Sequence, residues 1–166
     1  MTSESDEAFS AFVASSSPQL LRTGWLLCGD EHLAEELVQE ALARVYPRWG
    51  RLADGQPLAY ARRILVNLNT DRWRRGRRET VAADGDMPER PVDDGSSAAV
   101  DRDLLIRLLG ALPRRERQVV VLRHYADLSE QQVADLLDVS VGTVKSSASR
   151  GLAVMRSHLT SIEEAV

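Results

Sequence analysis

A cluster of polar and aromatic residues near the middle of the chain has the chemistry needed to bind separated nucleic-acid strands. The amide side chains of Asn67 and Asn69 can hydrogen-bond base edges. Arg72 can bind a phosphate, and the ring of Trp73 can stack on an exposed base. The combination favours a site for unstacked bases, although a core tryptophan beside a solvated basic helix end is the structural alternative.

A second set of polar residues, within residues 128–159, has the spacing of a helix-turn-helix. Ser129 followed by Gln132 forms a capping box that opens one helix. After a short turn, Ser140 can cap a second helix. Two short helices joined in this way are typical of proteins that place the second helix in the major groove of DNA.

The second of these helices carries small polar residues opposite its apolar stripe. The stripe consists of Val141, Val144, Ala148, Leu152, Met155 and Leu159. Steps of about 100° per residue place Thr143, Ser146, Ser147 and Arg150 on the other side. Lys145 lies at the margin of that side, where it can bind a phosphate. The pattern predicts a recognition helix, and an ordinary helical hairpin with a small polar face is the alternative.

Helices must position both sets, because apolar residues recur at intervals of three and four and no segment alternates as a strand does. We expect an all-α protein with two small helical domains, at residues 7–78 and 101–160. Turn residues divide the first domain at 28–30 and 50–57. Residues 79–100 contain proline, glycine, serine and acids with little to bury, which predicts a flexible acidic linker.

Two helices of the first domain show a stripe of buried type. In the first helix the stripe is Ala34, Leu37, Val38, Ala41, Leu42 and Val45, and in the second it is Ala61, Ile64, Leu65 and Leu68. The face opposite the first stripe carries Glu35, Glu36, Gln39, Glu40 and Arg44. A mostly acidic face of this kind can meet a basic partner or can be an ordinary solvated surface.

Charge is distributed unevenly along the chain. The net charge is −4, which by itself argues against a nucleic-acid binder. Residues 62–78, however, contain seven arginines and one acid, and residues 79–100 contain six acids and one arginine. Such an abrupt change of sign separates functional segments and marks residues 62–78 as the candidate phosphate-binding stretch.

Several classes of function are disfavoured by what the sequence lacks. It contains no phosphate-cradling glycine loop and no nucleophile constellation, and its three histidines are widely scattered. Cys28 is the only cysteine. The longest apolar runs are far shorter than a membrane span, and the first residues are acidic rather than signal-like. We therefore expect a cytoplasmic, non-enzymatic protein with no cofactor, no metal and no membrane insertion.

These motifs together resemble a known family over nearly the whole chain. "AEELVQEALARVY" at 34–46 is similar to the polymerase-binding helix of sigma region 2. "AYARRILVNLNTDRWRRGRRE" at 59–79 is similar to the helix of that region that melts and reads the minus-ten element. Residues 112–156 closely resemble sigma region 4, whose helix-turn-helix reads the minus-thirty-five element. The order resembles the extracytoplasmic-function (ECF) group of the sigma-70 family, in its actinobacterial sigma-E-like branch.

The resemblance implies an alternative sigma factor whose partners are core RNA polymerase, at its β′ clamp and β flap, and promoter DNA. Its polymerase-binding residues would be Glu36, Gln39, Glu40 and Arg44. The loop 48–57 would pocket a flipped minus-ten base. The implied minus-ten residues are Arg48, Trp49, Arg51, Asn67, Asn69, Arg72, Trp73, Arg74, Arg75, Arg77 and Arg78. The implied minus-thirty-five residues are Ser140, Thr143, Lys145, Ser146, Ser147 and Arg150.

Three departures from the family pattern leave the assignment intact. Position 36 is Glu where Asp is usual, Gln132 replaces the commoner Glu, and Asp138 occupies a turn position where Gly is frequent.

An anti-sigma factor is expected as a further partner. We hypothesise that the acidic linker occupies a basic channel of polymerase and shields the arginines of residues 72–78, and a simple tether is the alternative. The rival functions are a helix-turn-helix regulator that is not a polymerase subunit and a protein-interaction adaptor.

Overall fold

The computed structural model describes residues 3–80 and 97–165, which fall into two compact units. Unit 1 is residues 3–80 and unit 2 is residues 97–165. All regular structure in these ranges is helical, which confirms the expected all-α class. The proposed linker, 79–100, lies outside the described residues over 81–96, and helices include both of its ends. Within the described ranges, none of the helices is both long and apolar enough to cross a membrane.

Unit 1 consists of four α-helices and one short 3₁₀ turn. In chain order they are α1 (Ser3–Cys28), α2 (Glu31–Val45), the 3₁₀ turn (Tyr46–Arg48), α3 (Trp49–Leu52) and α4 (Pro57–Thr80). The expected break after α1 is present, because Gly29 adopts a φ of 75°, which few other residues tolerate. Asp30 then caps α2 by accepting a hydrogen bond from the backbone N–H of Leu33 at 2.8 Å. The second break is shorter than expected, since α3 occupies its first residues.

The core of unit 1 lies where α1, α2 and α4 pack together. Its buried apolar side chains are Leu20, Leu37, Val38, Ala41, Val45, Trp49, Ala61, Leu65 and Leu68. The predicted stripes of α2 and α4 are therefore confirmed, with Leu42 and Ile64 half-buried at the edge of the cluster. Because both helices turn their apolar side inward, their charged residues are left on the surface.

Unit 2 consists of four α-helices, one of which continues into a π-helical turn. They are α5 (Ser97–Gly110), α6 (Arg114–Val120) with the π-helical turn (Val121–Tyr125), α7 (Glu130–Leu137) and α8 (Val141–Glu164). The predicted capping box of α7 is present, with Ser129 and Gln132 bonding reciprocally at 2.8 and 3.1 Å. Asp138 ends α7 in the left-handed region at φ 54° and ψ 53°, the conformation a glycine would adopt more readily.

The helix-turn-helix is completed by α8, which packs closely on α6. Ser140 accepts a hydrogen bond from the backbone N–H of Thr143 at 3.1 Å, which confirms the predicted cap. Further along α8, a Cβ placed on Gly151 would lie 2.8 Å from Cγ2 of Val120. The two backbones can approach this closely only because residue 151 has no side chain.

Candidate nucleic-acid interface

The outer face of α2 carries the four residues expected to bind polymerase. Glu36, Gln39, Glu40 and Arg44 are all exposed. Arg44 forms an ion pair with Glu40, one helical turn earlier. Two of the four charged or polar side chains on this face are therefore paired with each other.

One contact joins this face of α2 to the basic end of α4. The guanidinium of Arg72 lies 3.3 Å from the carboxylate of Glu36, and both side chains are more than half exposed. The residues were assigned separately, one to DNA and the other to polymerase, and the fold brings them together. A protein bound to α2 would therefore lie directly beside a nucleic acid bound to this part of α4.

The polar residues of α4 are spread around the helix instead of sharing one face. Asn67 and Arg74, seven residues apart, lie on the same exposed side. Asn69 is half-buried and shares another side with Trp73, four residues further on. Arg72 is directed toward α2 by its ion pair. A nucleic acid that contacts all of these residues must wrap around the end of the helix.

Trp73 and the arginines near it belong to a continuous exposed stretch of α4, residues 71–76. Trp73 is 43% exposed, which excludes the alternative of a core tryptophan. Arg74 lies 4.0 Å from Asp71, and Arg75 donates to the backbone carbonyl of Asp71 at 3.4 Å. Arg77 and Arg78 belong to α4, but their side chains lie outside the described residues.

Trp49 was expected to contact a minus-ten base, and this expectation is wrong. Its side chain is only 5% exposed, so it cannot meet DNA. Its ring packs edge-on against Phe9 at 5.3 Å and lies 5.1 Å from Phe12, measured between centroids. A large apolar ring next to a short turn is buried when a neighbouring helix supplies a pocket, and here the N-terminal part of α1 does so.

A hydrogen bond strengthens the attachment of this turn to α1. The ring of Tyr46 lies tilted against that of Phe9, with centroids 4.9 Å apart, and its hydroxyl donates to Asp6 Oδ1 at 3.0 Å. This hydrogen bond, with smaller contributions from burial and from the charge of Asp6, raises the pKa of Tyr46. The aromatic cluster of Phe9, Phe12, Tyr46 and Trp49 thus anchors the end of α2 and the start of the segment expected to form the loop 48–57.

Arg48 and Arg51, by contrast, are exposed as expected. Arg48 lies over the ring of Tyr60, 6.0 Å from its centroid, and is thereby attached to the first turns of α4. Seven residues of helix, or about 10 Å, separate Tyr60 from Asn67. Arg48, which lies over Tyr60, and the exposed amide of Asn67 are therefore successive contact points along one side of α4.

The exposed side of the recognition helix α8 differs from the predicted one at Ser147. Ser147 is fully buried, and Thr143 is half-buried. The expectation that Ser147 faces DNA is wrong because α8 turns its small residues, Ser147 and Gly151, toward α6, where only small residues fit. Lys145, Ser146 and Arg150 are exposed as predicted, as is the cap residue Ser140, whose hydroxyl lies 2.9 Å from that of Thr143.

Both basic residues in the first half of α8 have carboxylate partners within unit 2. Lys145 lies 3.7 Å from Glu130 of α7. Arg150 donates from Nε to Glu116 of α6 at 3.1 Å. Sequence reasoning missed both acids, since Glu116 is separated from Arg150 by 34 residues and no local pattern links them.

Ser149 is a further exposed residue on this helix that sequence reasoning missed. It follows Lys145 by four residues and so shares its side of α8. The interval of four residues between Lys145 and Ser149 could have indicated this. The interval was overlooked because Ser147 was expected on the exposed side of α8. Among the described residues, no group of three or more acidic, histidine or cysteine side chains is arranged to hold a metal ion.

Comparison with known proteins matches the two units to two parts of one family. Residues 12–79 match the sequence profile of sigma-70 region 2, and residues 102–155 match that of sigma-70 region 4. The chain is 40% identical over 152 residues to the RNA polymerase sigma-E factor of Streptomyces coelicolor, which covers 91% of this chain and 85% of that protein. It is 31% identical to the ECF RNA polymerase sigma factor SigE of Mycolicibacterium smegmatis, covering 85% of this chain and 57% of that one.

The fold also resembles a solved structure. The sigma factor RpoE of Bartonella quintana, determined as a co-crystal with the anti-sigma factor NepR, matches with a TM-score of 0.78. That match covers 92% of this chain and 96% of the other, at 22% sequence identity. At this identity the likeness supports the helical fold alone.

Proposed function

This chain belongs to the sigma-70 family of RNA polymerase sigma factors, in the ECF, sigma-E-like group, and from that premise we propose how its surfaces direct transcription initiation. It is an alternative sigma factor. Unit 1 is assigned to polymerase binding and minus-ten recognition, and unit 2 to minus-thirty-five recognition. The observation that supports this assignment is the 3.3 Å contact between Glu36 on α2 and Arg72 on α4, because it joins the face proposed to bind polymerase to the helix end proposed to bind DNA.

The exposed face of α2 is proposed to bind the β′ clamp of core polymerase. Glu36, Gln39, Glu40 and Arg44 supply charges and an amide on one side of a helix whose other side is buried. Charged groups on such a rim give an interface its specificity and fast association. Unit 2 is proposed to bind the β flap in addition to DNA.

The basic end of α4 is proposed to capture bases that leave the minus-ten duplex. Trp73 offers an exposed ring for stacking, which is worth about 1–3 kcal/mol per base. Unstacking a base costs a few kcal/mol, so stacking can offset a substantial part of that cost. Asn67 and Asn69 would contact neighbouring bases, and Arg48 and Arg51 would approach from the anchored turn. Arg72, Arg74, Arg75, Arg77 and Arg78 would bind phosphates.

Unit 2 is proposed to bind the minus-thirty-five element as a duplex. Helix α8 presents Ser140, Lys145, Ser146 and Arg150 at its N-terminal half, the part of a recognition helix that enters the major groove. With two cations on this half of the helix, intrinsic affinity for DNA should be modest. Attachment to polymerase through unit 1 would raise the effective concentration of unit 2 at the promoter.

The proposed role requires no bond to be made or broken by this chain, which would act in the cytoplasm as a non-enzymatic subunit without a cofactor. The acidic segment between the units is proposed to connect them. An anti-sigma factor is proposed as a further partner. It would have to cover the outer face of α2, the DNA-facing surfaces, or both.

The direct test is reconstitution of the purified chain with core RNA polymerase on genomic DNA. We expect initiation at discrete start sites, and Glu40→Lys should abolish it by placing a cation in the clamp-facing surface. Glu163→Lys makes the same change of charge at an exposed position of α8 and should leave initiation intact. Duplex binding without any association with polymerase would instead identify a helix-turn-helix regulator.

A further inference from the structure

Arg150 on the recognition helix is held by a carboxylate that is itself mostly buried. Its Nε donates to Glu116 Oε1 at 3.1 Å, and its Nη2 lies 3.5 Å from the hydroxyl of Ser147. The Glu116 side chain is 13% exposed, whereas that of Arg150 is 61% exposed. A mostly buried acid therefore holds the inner side of an otherwise exposed arginine.

The backbone packing of unit 2 makes this contact available. Gly151 allows α8 to approach α6 closely, and a Cβ at that position would lie 3.4 Å from Cβ of Glu116. The buried hydroxyl of Ser147 occupies the same interface. Gly151 and Ser147 thus set how closely α8 approaches α6, and this spacing lets the Glu116 carboxylate contact the guanidinium of Arg150.

We propose that Glu116 is a positioning residue that orients Arg150 to read a base of the minus-thirty-five duplex. The inference rests on the proposed function and adds a specificity determinant to it. A guanidinium can bind bidentately through its Nε–Nη2 edge or through its Nη1–Nη2 edge. With Glu116 and Ser147 at the first of these edges, the terminal edge is the one directed toward DNA, where it matches O6 and N7 of guanine.

An arginine held in this way differs from one that binds any nearby phosphate. A free side chain can follow the backbone of every sequence, so it adds affinity without selectivity. A side chain fixed before binding loses less conformational freedom on contact and tolerates fewer geometries. Glu116 would therefore increase base preference while its own negative charge slightly weakens overall attraction to DNA.

The experiment compares base preference among holoenzymes that differ only in this pair. Core polymerase reconstituted with each full-length chain selects promoters from a library randomised upstream of a fixed minus-ten element. We expect Arg150→Ala and Glu116→Ala to lose the same base preference, by about tenfold, the discrimination of one good base contact. The double variant should match Arg150→Ala, because Glu116 acts only through that arginine.

A conservative variant separates position from charge. Glu116→Gln keeps an oxygen that can accept from Nε of Arg150, so base preference should be retained while overall binding rises. Arg150→Lys keeps the charge but has no planar edge for a base, so preference should fall to the level of Arg150→Ala. Because Arg150 is mostly exposed, Arg150→Lys should fold, and it still tests the base contact if Glu116→Ala does not fold.

Three results would overturn the inference. The first is a preference profile unchanged by Glu116→Ala in a folded protein, and the second is additive losses in the double variant. The third is full preference in Arg150→Lys. If instead the wild-type holoenzyme selects no discrete sequence, the proposed function itself fails and this inference fails with it.

Discussion

The two helices proposed to meet DNA differ in how they present charge. The end of α4 carries a run of arginines and an exposed tryptophan, and its carboxylate contacts, to Asp71 and Glu36, lie at the surface. The first half of α8 carries small polar residues and two cations, each next to a carboxylate of its own unit. The first surface suits strong binding to backbone and unstacked bases, and the second suits weaker, more selective contact with a duplex.

The difference indicates why one chain would need both units. Opening a promoter requires a surface whose affinity for separated strands offsets the cost of unstacking. Choosing a promoter requires a surface that binds the wrong sequence poorly. A surface with a small number of cations meets this requirement, because it attracts the phosphates of any sequence only weakly. Substitutions in either unit can test this difference between α4 and α8, and their expected effects range from several kcal/mol of stability to less than about 1 kcal/mol.

The largest effect should come from comparing two of the three tryptophans of unit 1, Trp49 and Trp73. Trp49→Ala removes a ring from the core beside Phe9 and Phe12 and should lower the free energy of unfolding by about 3–5 kcal/mol. Trp73→Ala should lower it by about 1 kcal/mol or less, because Trp73 is 43% exposed and lies outside the core cluster. Chemical denaturation of the full chain measures both, and equal losses would contradict the assignment of Trp49 to the core.

Trp73→Ala should instead impair promoter opening. Loss of one stacking contact worth about 1–3 kcal/mol should reduce the open complex by about 5- to 150-fold, with polymerase binding unchanged. Permanganate footprinting of the minus-ten region reports the opened strands. Trp73→Phe keeps a ring and should recover most of the signal, and normal opening by the alanine variant would exclude a stacking role.

Two helical glycines provide a third comparison, one from each unit. Gly151→Ala forces Val120 to move and should destabilise the chain by about 1–2 kcal/mol, even after the gain in helix propensity. Apart from the nearby backbone of its own helix, nothing lies within 4 Å of a Cβ at Gly76, so Gly76→Ala should be neutral or stabilising by up to about 1 kcal/mol. Thermal unfolding followed by circular dichroism distinguishes them, and a stabilising Gly151→Ala would refute the close approach of α6 and α8.

The smallest effect is expected at the ion pair between Arg72 and Glu36. Both side chains are more than half exposed, so Glu36→Ala should change the free energy of unfolding by less than about 1 kcal/mol. Screening by salt should reduce the difference further. Denaturation at low and high salt measures it, and a large loss that persists in high salt would mean that the pair contributes to the core.

Much of the fold could be predicted from local patterns. The stripe on α2, the capping box at Ser129 and the cap at Ser140 each depend on a few neighbouring residues, and all three are present. Residue type and spacing decide such features because the interactions lie within one or two helical turns.

The two wrong placements, Trp49 and Ser147, both depended on contacts that are distant in sequence. Trp49 is buried by Phe9 and Phe12, about 40 residues earlier, which spacing alone cannot reveal. Ser147 is polar, and its burial follows from the approach of α6 at Gly151. The partner of Arg150, Glu116, was missed for the same reason. Local periodicity finds a helix face, but tertiary packing decides how that helix is rotated.

The division of labour between the two helices can be tested most directly by photo-crosslinking within the promoter complex. A photoreactive phenylalanine analogue would replace Trp73 or Ser146 in the full chain bound to core polymerase, with Ser161 as an exposed control. We expect position 73 to crosslink to the minus-ten region only after the strands open, and position 146 to crosslink to the upstream duplex before and after opening. Crosslinking of position 73 to closed duplex alone, or of position 146 to opened strands, would contradict the division of labour between α4 and α8.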